Sequence, residues 1–140
     1  MSPEPTDPPD YARRTRAVYD LLNGRDFDAI TAMFAPDGVW DVSRWGLGAK
    51  SGREAIRRFL EDWFGSLTEY QVRVEQIDEL GQGVVLAQVL QIARADSRGS
   101  LEVRSTPVFR WQDERIAEVT LYRDDEEARV AAARLARERS

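Results

Sequence analysis

One acidic residue stands beside bulky apolar residues where it could act as a base. Asp41 follows Trp40 within residues 39–43, which have the composition of a short strand. An apolar pocket around Asp41 would raise its pKa and suit it to remove a proton from carbon. Side chains alternate along a strand, so Trp40 and Val42 would share the opposite face. The alternative is an outward carboxylate, satisfied by Arg44 or by a backbone donor.

An arginine near the end of the chain could hold an anionic oxygen. Arg123 falls on the same strand face as Val119 and Leu121, because the three residues are spaced two apart. If that face looks into a pocket, the guanidinium lies at the rim and could bind a carboxylate or a phenolate. The alternative is an ion pair with Asp124, Asp125 or another acid at the start of the next helix.

Further polar and aromatic residues are candidates for binding. Gln91 and Ser105 lie on faces that otherwise read as apolar, so they either bond each other across strands or orient a ligand. Tyr19 is either a phenolic donor to a pocket or a core tyrosine with a solvated hydroxyl. The aromatic side chains that could line a pocket, or fill a core in its place, are Trp40, Phe59, Trp63, Phe64 and Phe109.

The residue types that the chain lacks exclude several mechanisms. Among 140 residues there is no cysteine and no histidine, and Lys50 is the only lysine. Thiol nucleophiles, thiolate metal sites and serine–histidine catalysis within the chain are therefore excluded. The acids at 124–127 suit a helix N-terminus, and the glycine-rich residues 46–52 lack the order of a phosphate-binding loop. We expect no metal ion and no cofactor.

Length, charge and hydropathy limit the organisation and the partners. The net charge of −5 argues against nucleic acid as a partner, and no apolar run is long enough to span a membrane. Four of the six prolines lie in residues 1–10, which have no signal-peptide pattern and predict a disordered tail. Residues 11–138 have the length of one domain. We expect a cytoplasmic protein.

The spacing of apolar residues predicts the elements that position these side chains. Helical spacing predicts helices from Tyr11, from a cap at Asp26, and from a capping box that joins Ser51 and Glu54. A short strand at 39–43 precedes the third helix, four long strands follow it, and a helix over 124–137 ends the chain.

This order indicates an α+β fold with a curled antiparallel sheet. Runs of helices followed by runs of strands are typical of this class, and we expect all the helices to cover one face of the sheet. Pro107 interrupts the third long strand. Because proline has no N–H to give to a ladder, it predicts a bulge or an unpaired position there.

Three segments of this chain resemble one known family. They are NGRDFDAITAMFAPDGVWD, SGREAIRRFLEDWF and VFRWQDERIAEVTLYRDDEEA, and the resemblance extends over about residues 11–130. It is to the SnoaL-like branch of the nuclear-transport-factor-2-like superfamily, which includes ketosteroid isomerases, limonene epoxide hydrolases and polyketide cyclases. The resemblance implies a cone-shaped sheet that wraps the third helix, leaves a central pocket, and often forms dimers through its outer face.

The resemblance also places apolar residues where relatives carry catalytic groups. Val42 falls where isomerases have their base, and Pro107 where they have a protonated aspartate. Leu121 falls at an acid of the epoxide hydrolases, and Val89 and Gln91 fall at their arginine and aspartate. No catalytic set of these three enzyme classes is intact.

These observations leave three hypotheses. The first is a small-molecule-pocket protein that acts as a cofactor-free cyclase, isomerase or hydrolase, with Asp41 as base and Arg123 or Tyr19 holding an oxyanion. The second is a non-catalytic binder of an apolar or aromatic molecule. The third is a dimeric interaction module with a filled cone. A homodimer would use the outward-facing residues Gln88, Leu90, Thr106, Val108, Thr120 and Tyr122.

Overall fold

A six-stranded curved sheet packs one face against three helices and the other against a fourth. The computed structural model describes residues 10–95 and 99–139. The helices are α1 (Tyr11–Asn23), α2 (Phe27–Ala32), α3 (Arg53–Gly65) and α4 (Asp125–Arg139). The strands are β1 (Phe34–Asp41), β2 (Ala49–Ser51), β3 (Glu69–Gly81), β4 (Val84–Ala95), β5 (Gly99–Gln112) and β6 (Arg115–Tyr122). A short 3₁₀ helix, Ser43–Trp45, joins β1 to β2.

At two helices, α1 and α2, an aspartate side chain caps the N-terminus. At a third, α3, the capping residue predicted from sequence does not cap the helix. The carboxylate of Asp10 accepts the N–H of Arg13 at α1. The predicted cap at Asp26 is confirmed, because its carboxylate accepts the N–H of Ala29. The predicted capping box at Ser51 is wrong. Ser51 ends β2, where it pairs with β1, and α3 begins after Gly52, which has a φ of 88°.

The fold class predicted from sequence, an α+β cone, is confirmed. The sheet differs from the prediction in one respect, because it is not purely antiparallel. The strand order is β2-β1-β6-β5-β4-β3. All neighbours are antiparallel except β1 and β6, which run parallel, so the sheet is mixed. β1 also starts earlier than expected, at Phe34, and its register with β6 shifts before Val39. Residues 36–38 therefore lie within this irregular strand.

Near Pro107 the pairing between β4 and β5 is interrupted, but the register of the two strands is the same on both sides of the interruption. The Cα pairs between β4 and β5 stop at Leu86–Val108 and resume at Val89–Ser105, with the same register on both sides. The unpaired position is therefore present, whereas the predicted bulge at this proline is not. β5 instead shifts register against β6 between Arg110 and Trp111.

The helices divide between the two faces of the sheet. The inner face, which carries Val85, Ala87 and Val89 of β4, packs in one core with α1, α2 and α3. The outer face packs against α4, where the small side chains of Ala128 and Ala132 allow a close approach. The expectation that all helices cover one face is therefore wrong. Because side chains alternate between the two faces along each strand, the outer face also carries apolar side chains, and these pack against α4.

This arrangement changes the surface on which the homodimer prediction rested. Val108 and Tyr122 lie beneath α4, and the amide of Gln88 donates to Asp125 at its first turn. The outward-facing residues named for dimerisation are all buried or half-buried within the single chain. The homodimer stays a prediction, and the residues on which it rested are not exposed in the single chain.

The ends of the chain and its hydropathy add two facts. The predicted tail at 1–10 lies outside the described residues except for Asp10, which caps α1. No helix among the described residues is long and apolar enough to cross a membrane.

Candidate functional site

The inner face of the sheet and α3 enclose a cavity of about 320 Å³. That volume lies at the lower end of the range for small-molecule sites. Its mouth includes Leu47, which is 41% exposed, and Leu101, which is 58% exposed. The other lining residues are Val18, Tyr19, Leu22, Trp40, Val42, Trp45, Phe59, Leu60, Trp63, Phe64, Tyr70, Gln91, Ala93, Val103, Pro107, Phe109, Val119 and Leu121.

Aromatic rings in contact form much of the cavity wall. The ring of Phe59 lies between those of Trp40 and Trp63, with centroid distances of 6.3 and 6.4 Å. Across the cone, Phe109 meets Tyr19 edge to face, with a centroid distance of 6.0 Å. Contacts of this kind stabilise the wall and offer ring faces and edges to a planar molecule.

Two tyrosines contribute hydroxyl groups to this wall. Burial raises the pKa of Tyr19 well above its usual value, and the nearby Tyr70 adds to the shift. Burial also raises the pKa of Tyr70. Both phenols are therefore protonated at neutral pH and can donate a hydrogen bond, but they are poorly suited to act as bases.

Two indole groups of the wall carry unpaired donors. The Nε1 atoms of Trp40 and Trp45 are buried and have no hydrogen-bond partner among the described residues. A buried N–H without a partner lowers the free energy of unfolding. These two donors are therefore a stability cost of building the wall from tryptophan.

The side chains of Gln91 and Ser105 contact each other across β4 and β5, as in one of the two arrangements considered from sequence. The Nε2 atom of Gln91 lies 3.5 Å from the Oγ atom of Ser105, at the long limit of a hydrogen bond. Gln91 lines the cavity and Ser105 does not. Gln91 is therefore the member of the pair that a bound molecule could contact.

Asp41 lies outside the cavity lining. It pairs with Thr120 of β6, on the outer face, whereas its neighbour Trp40 pairs with Val119 and lines the cavity. Its carboxylate accepts the N–H of Ser43 at 2.9 Å. The role of Asp41 as a base stays a prediction, and this geometry matches its alternative, an outward carboxylate with a backbone donor.

Arg123 lies at the rim of the cavity. Its guanidinium carbon is 4.9 Å from the ring centroid of Trp45, which lines the cavity. The Arg123 side chain itself is exposed and is not part of the lining. The structure thus places an exposed guanidinium against the cavity wall, through a tryptophan that sequence reasoning did not select. The role of Arg123 in binding stays a prediction.

The structure brings together seven of the ten side chains selected from sequence and adds others. The seven that line the cavity are Tyr19, Trp40, Phe59, Trp63, Phe64, Gln91 and Phe109. Trp45, Leu47 and Tyr70 were missed. Tyr70 could have been found, because it precedes Val72 and Val74 on one strand face. Trp45 and Leu47 lie in an irregular segment, whose direction no period indicates.

Four of the five positions that the resemblance predicts to match catalytic groups of other enzymes line the cavity. Val42, Pro107, Leu121 and Gln91 all line it, although Val89 does not. Three of these four side chains are apolar, so they supply no acid or base. Among the described residues, no group of three or more acidic side chains is arranged to hold a metal ion.

One comparison with known proteins identifies a family. The family model of the SnoaL-like domain matches residues 15–119. None of the curated proteins matches the chain.

Solved structures share the fold at low sequence identity. An NTF2-like protein of unknown function from Burkholderia pseudomallei has a TM-score of 0.73 and 21% identity, covering 86% of this chain and 95% of its own. An epoxide hydrolase of the LEH-like type from M. tuberculosis has a TM-score of 0.69 and 20% identity over 91% of this chain and 92% of its own. TerC, co-crystallised with polyporic acid, has a TM-score of 0.69 and 19% identity over 87% of this chain and 97% of its own. At these identities the likeness shows the fold alone.

Proposed function

This chain belongs to the SnoaL-like domain family, and from that premise we propose that it binds a small apolar, aromatic molecule inside the cone cavity. One observation carries the proposal: the described residues that line the cavity are mainly aromatic and aliphatic and include no carboxylate. A concave apolar site with few polar groups is typical of small-molecule binding. The hydroxyls of Tyr19 and Tyr70 and the amide of Gln91 are the groups that could orient a ligand.

The same geometry favours binding over the acid–base chemistry considered from sequence. A general base must come within hydrogen-bond reach of the proton that it removes. The carboxylate of Asp41 is held by Ser43 away from the cavity lining, and both cavity tyrosines are protonated at neutral pH. The co-crystallisation of TerC with polyporic acid supports a small molecule as the ligand of this fold. A cytoplasmic location accompanies this proposal as a prediction.

Isothermal titration with 2-acetylnaphthalene tests the proposal, because this neutral molecule has a planar ring system and one hydrogen-bond acceptor. We expect saturable binding with one molecule per chain. The variant Ala93→Phe places a ring at a lining position where the side chain is small, and we expect it to weaken binding at least tenfold.

Ile92→Phe is the matched control. Ile92 is the neighbour of Ala93 on β4, so its side chain points to the opposite face of the sheet. This variant should bind as the wild type does. Absence of binding to the wild type, or equal weakening by the two variants, would contradict the cavity as the binding site.

A further inference from the structure

Cations in contact with the cavity wall lack acidic partners. Arg123 lies over Trp45, and the Nζ atom of Lys50 is 5.4 Å from the ring centroid of Phe59. Trp45 and Phe59 both line the cavity. Neither Arg123 nor Lys50 forms a salt bridge with a carboxylate of the described residues. Two cations therefore lie against the wall without a carboxylate in salt-bridge contact among the described residues.

The backbone places Arg123 at the mouth and Lys50 at the side of the cavity. Arg123 is two residues beyond Leu121, a lining residue at the end of β6, and it is exposed. Lys50 pairs with Trp40 across β2 and β1, so the two residues share the inner face, and Lys50 is half-buried. An exposed guanidinium at a mouth can bind an anion while water still solvates it, so the charge does not have to enter the apolar interior.

The acids nearest to Arg123 in sequence have other partners. The Oδ1 atom of Asp124 accepts the N–H groups of Glu126 and Glu127 at the start of α4. Asp125 accepts from Arg129. The Oε1 atom of Glu127 is 3.0 Å from the Nε atom of Arg44. Three of the four acids that follow Arg123 are therefore engaged elsewhere, and the guanidinium remains available to a ligand.

We propose that the ligand is an aromatic carboxylate whose ring system occupies the cavity and whose anionic group lies at the mouth against Arg123. This inference rests on the proposed function, and it adds the chemical class of the ligand. Leu47 and Leu101 fit the same orientation, since they offer apolar contacts to the part of the ring system that emerges beside the charge. Lys50 adds positive potential from the side of the cavity.

The test compares 2-naphthoate with 2-acetylnaphthalene, which has the same ring system and a methyl ketone in place of the carboxylate. Titration calorimetry of the wild type should show 2-naphthoate binding about fivefold more tightly, the scale of one exposed charge pair. Raising the salt concentration from 0.05 to 0.5 M should remove most of that advantage, because exposed charges are screened.

Variants assign the advantage to one residue. Arg123→Gln should abolish the preference for 2-naphthoate and leave the affinity for 2-acetylnaphthalene within twofold, whereas Arg123→Lys should keep the preference. Arg73→Gln removes an exposed arginine on the outer face of β3 and should change neither affinity. If Arg123 served only to hold Trp45, both affinities would fall together.

Two results would overturn the inference, and they differ from failure of the proposed function. Equal affinity of the wild type for the two probes would contradict an anionic ligand. A preference that persists in Arg123→Gln would contradict Arg123 as its anchor. In either case, binding of 2-acetylnaphthalene that Ala93→Phe blocks would still support the cavity as a site. Failure of both probes to bind would contradict the proposed function itself, and this inference with it.

Discussion

The two faces of the sheet carry different chemistry, although the same strands supply both. On the inner face, Trp40 and Leu121 line an apolar cavity. On the outer face, their immediate neighbours Asp41 and Tyr122 lie near charged groups at the start of α4. The guanidinium of Arg44 lies 4.2 Å from the ring centroid of Tyr122. A shift of one residue along a strand therefore separates an apolar cavity from a structural network of charges.

This difference indicates how one fold can hold an apolar cavity without acid–base groups in its lining. Of the four positions that the resemblance predicts to match acidic groups of other enzymes, three hold the apolar residues Val42, Pro107 and Leu121, the fourth holds Gln91, and all four line the cavity. Such a cavity depends on shape and ring contacts, whereas catalysis depends on a few polar atoms. The outer face contributes stability through α4 and places no described side chain in the cavity lining.

The largest expected effect is a fall in the free energy of unfolding at alkaline pH. It distinguishes Tyr19 and Tyr70 on the inner face from Tyr122 on the outer face. In the unfolded chain a tyrosine ionises near pH 10, whereas in the folded protein Tyr19 and Tyr70 have raised pKa values and stay protonated. Their stabilising effect is therefore complete below about pH 10 and is lost as the pH rises further. Above that pH the free energy of unfolding should fall by about 1.4 kcal/mol per pH unit for each tyrosine.

Urea unfolding at pH 8, 10 and 11 measures this loss. The double variant Tyr19→Phe/Tyr70→Phe should reduce the slope more than Tyr122→Phe does. Burial raises the pKa of Tyr122 too, but the positive charge of Arg44 opposes that shift. An equal reduction of the slope by Tyr122→Phe would show that the two faces do not differ in this respect.

A smaller effect is expected from a change under α4. Ala132 has no exposed surface and packs against the outer face, so Ala132→Glu should lower the free energy of unfolding by about 1–3 kcal/mol through overpacking and the desolvation of the carboxyl group. Because α4 does not line the cavity, 2-acetylnaphthalene should still bind.

Ala133→Glu is the control, since Ala133 is exposed on the same helix. Size-exclusion chromatography of both variants also examines the homodimer prediction. If Ala132→Glu displaces α4 and exposes the outer face, that variant should associate more than the wild type does. Loss of ligand binding in Ala132→Glu would show that the faces are coupled, contrary to the separation described above.

The smallest effect is expected at Asp41. Asp41→Asn removes the charge but keeps an oxygen that can accept the N–H of Ser43. The free energy of unfolding should change by less than about 0.5 kcal/mol, and the affinity for 2-acetylnaphthalene should stay within twofold. Should the protein convert any ligand, a loss of turnover of a hundredfold or more in this variant would restore Asp41 as a base.

Local signals predicted the elements better than they predicted the contacts between them. The cap at Asp26 and the helical spacing that predicted α3 depend on neighbours a few residues away, and both agree with the structure. The capping box at Ser51 failed because pairing of Ser51 with Val39 extends the sheet and moves the start of the helix. A contact between distant residues outweighed a local preference there.

The candidate site divides in the same way. The alternation that separates Trp40 from Asp41 follows from the pleat of a strand, so the sequence determined that these two side chains face opposite ways. It also determined that no cysteine or histidine takes part. Which face holds the cavity depends on the parallel pairing of β1 with β6 and on the packing of α1–α3 against one side.

Only the tertiary structure decided that α4 covers the outer face and that Arg123 meets Trp45 at the mouth. These contacts join segments that are far apart in the chain, and their free energy depends on the shape that all the elements create together. The spacing of apolar residues in the sequence indicates which side of a single helix or strand is apolar and which is polar. It contains no information about which partner each side will meet, and that choice is made when the whole core packs.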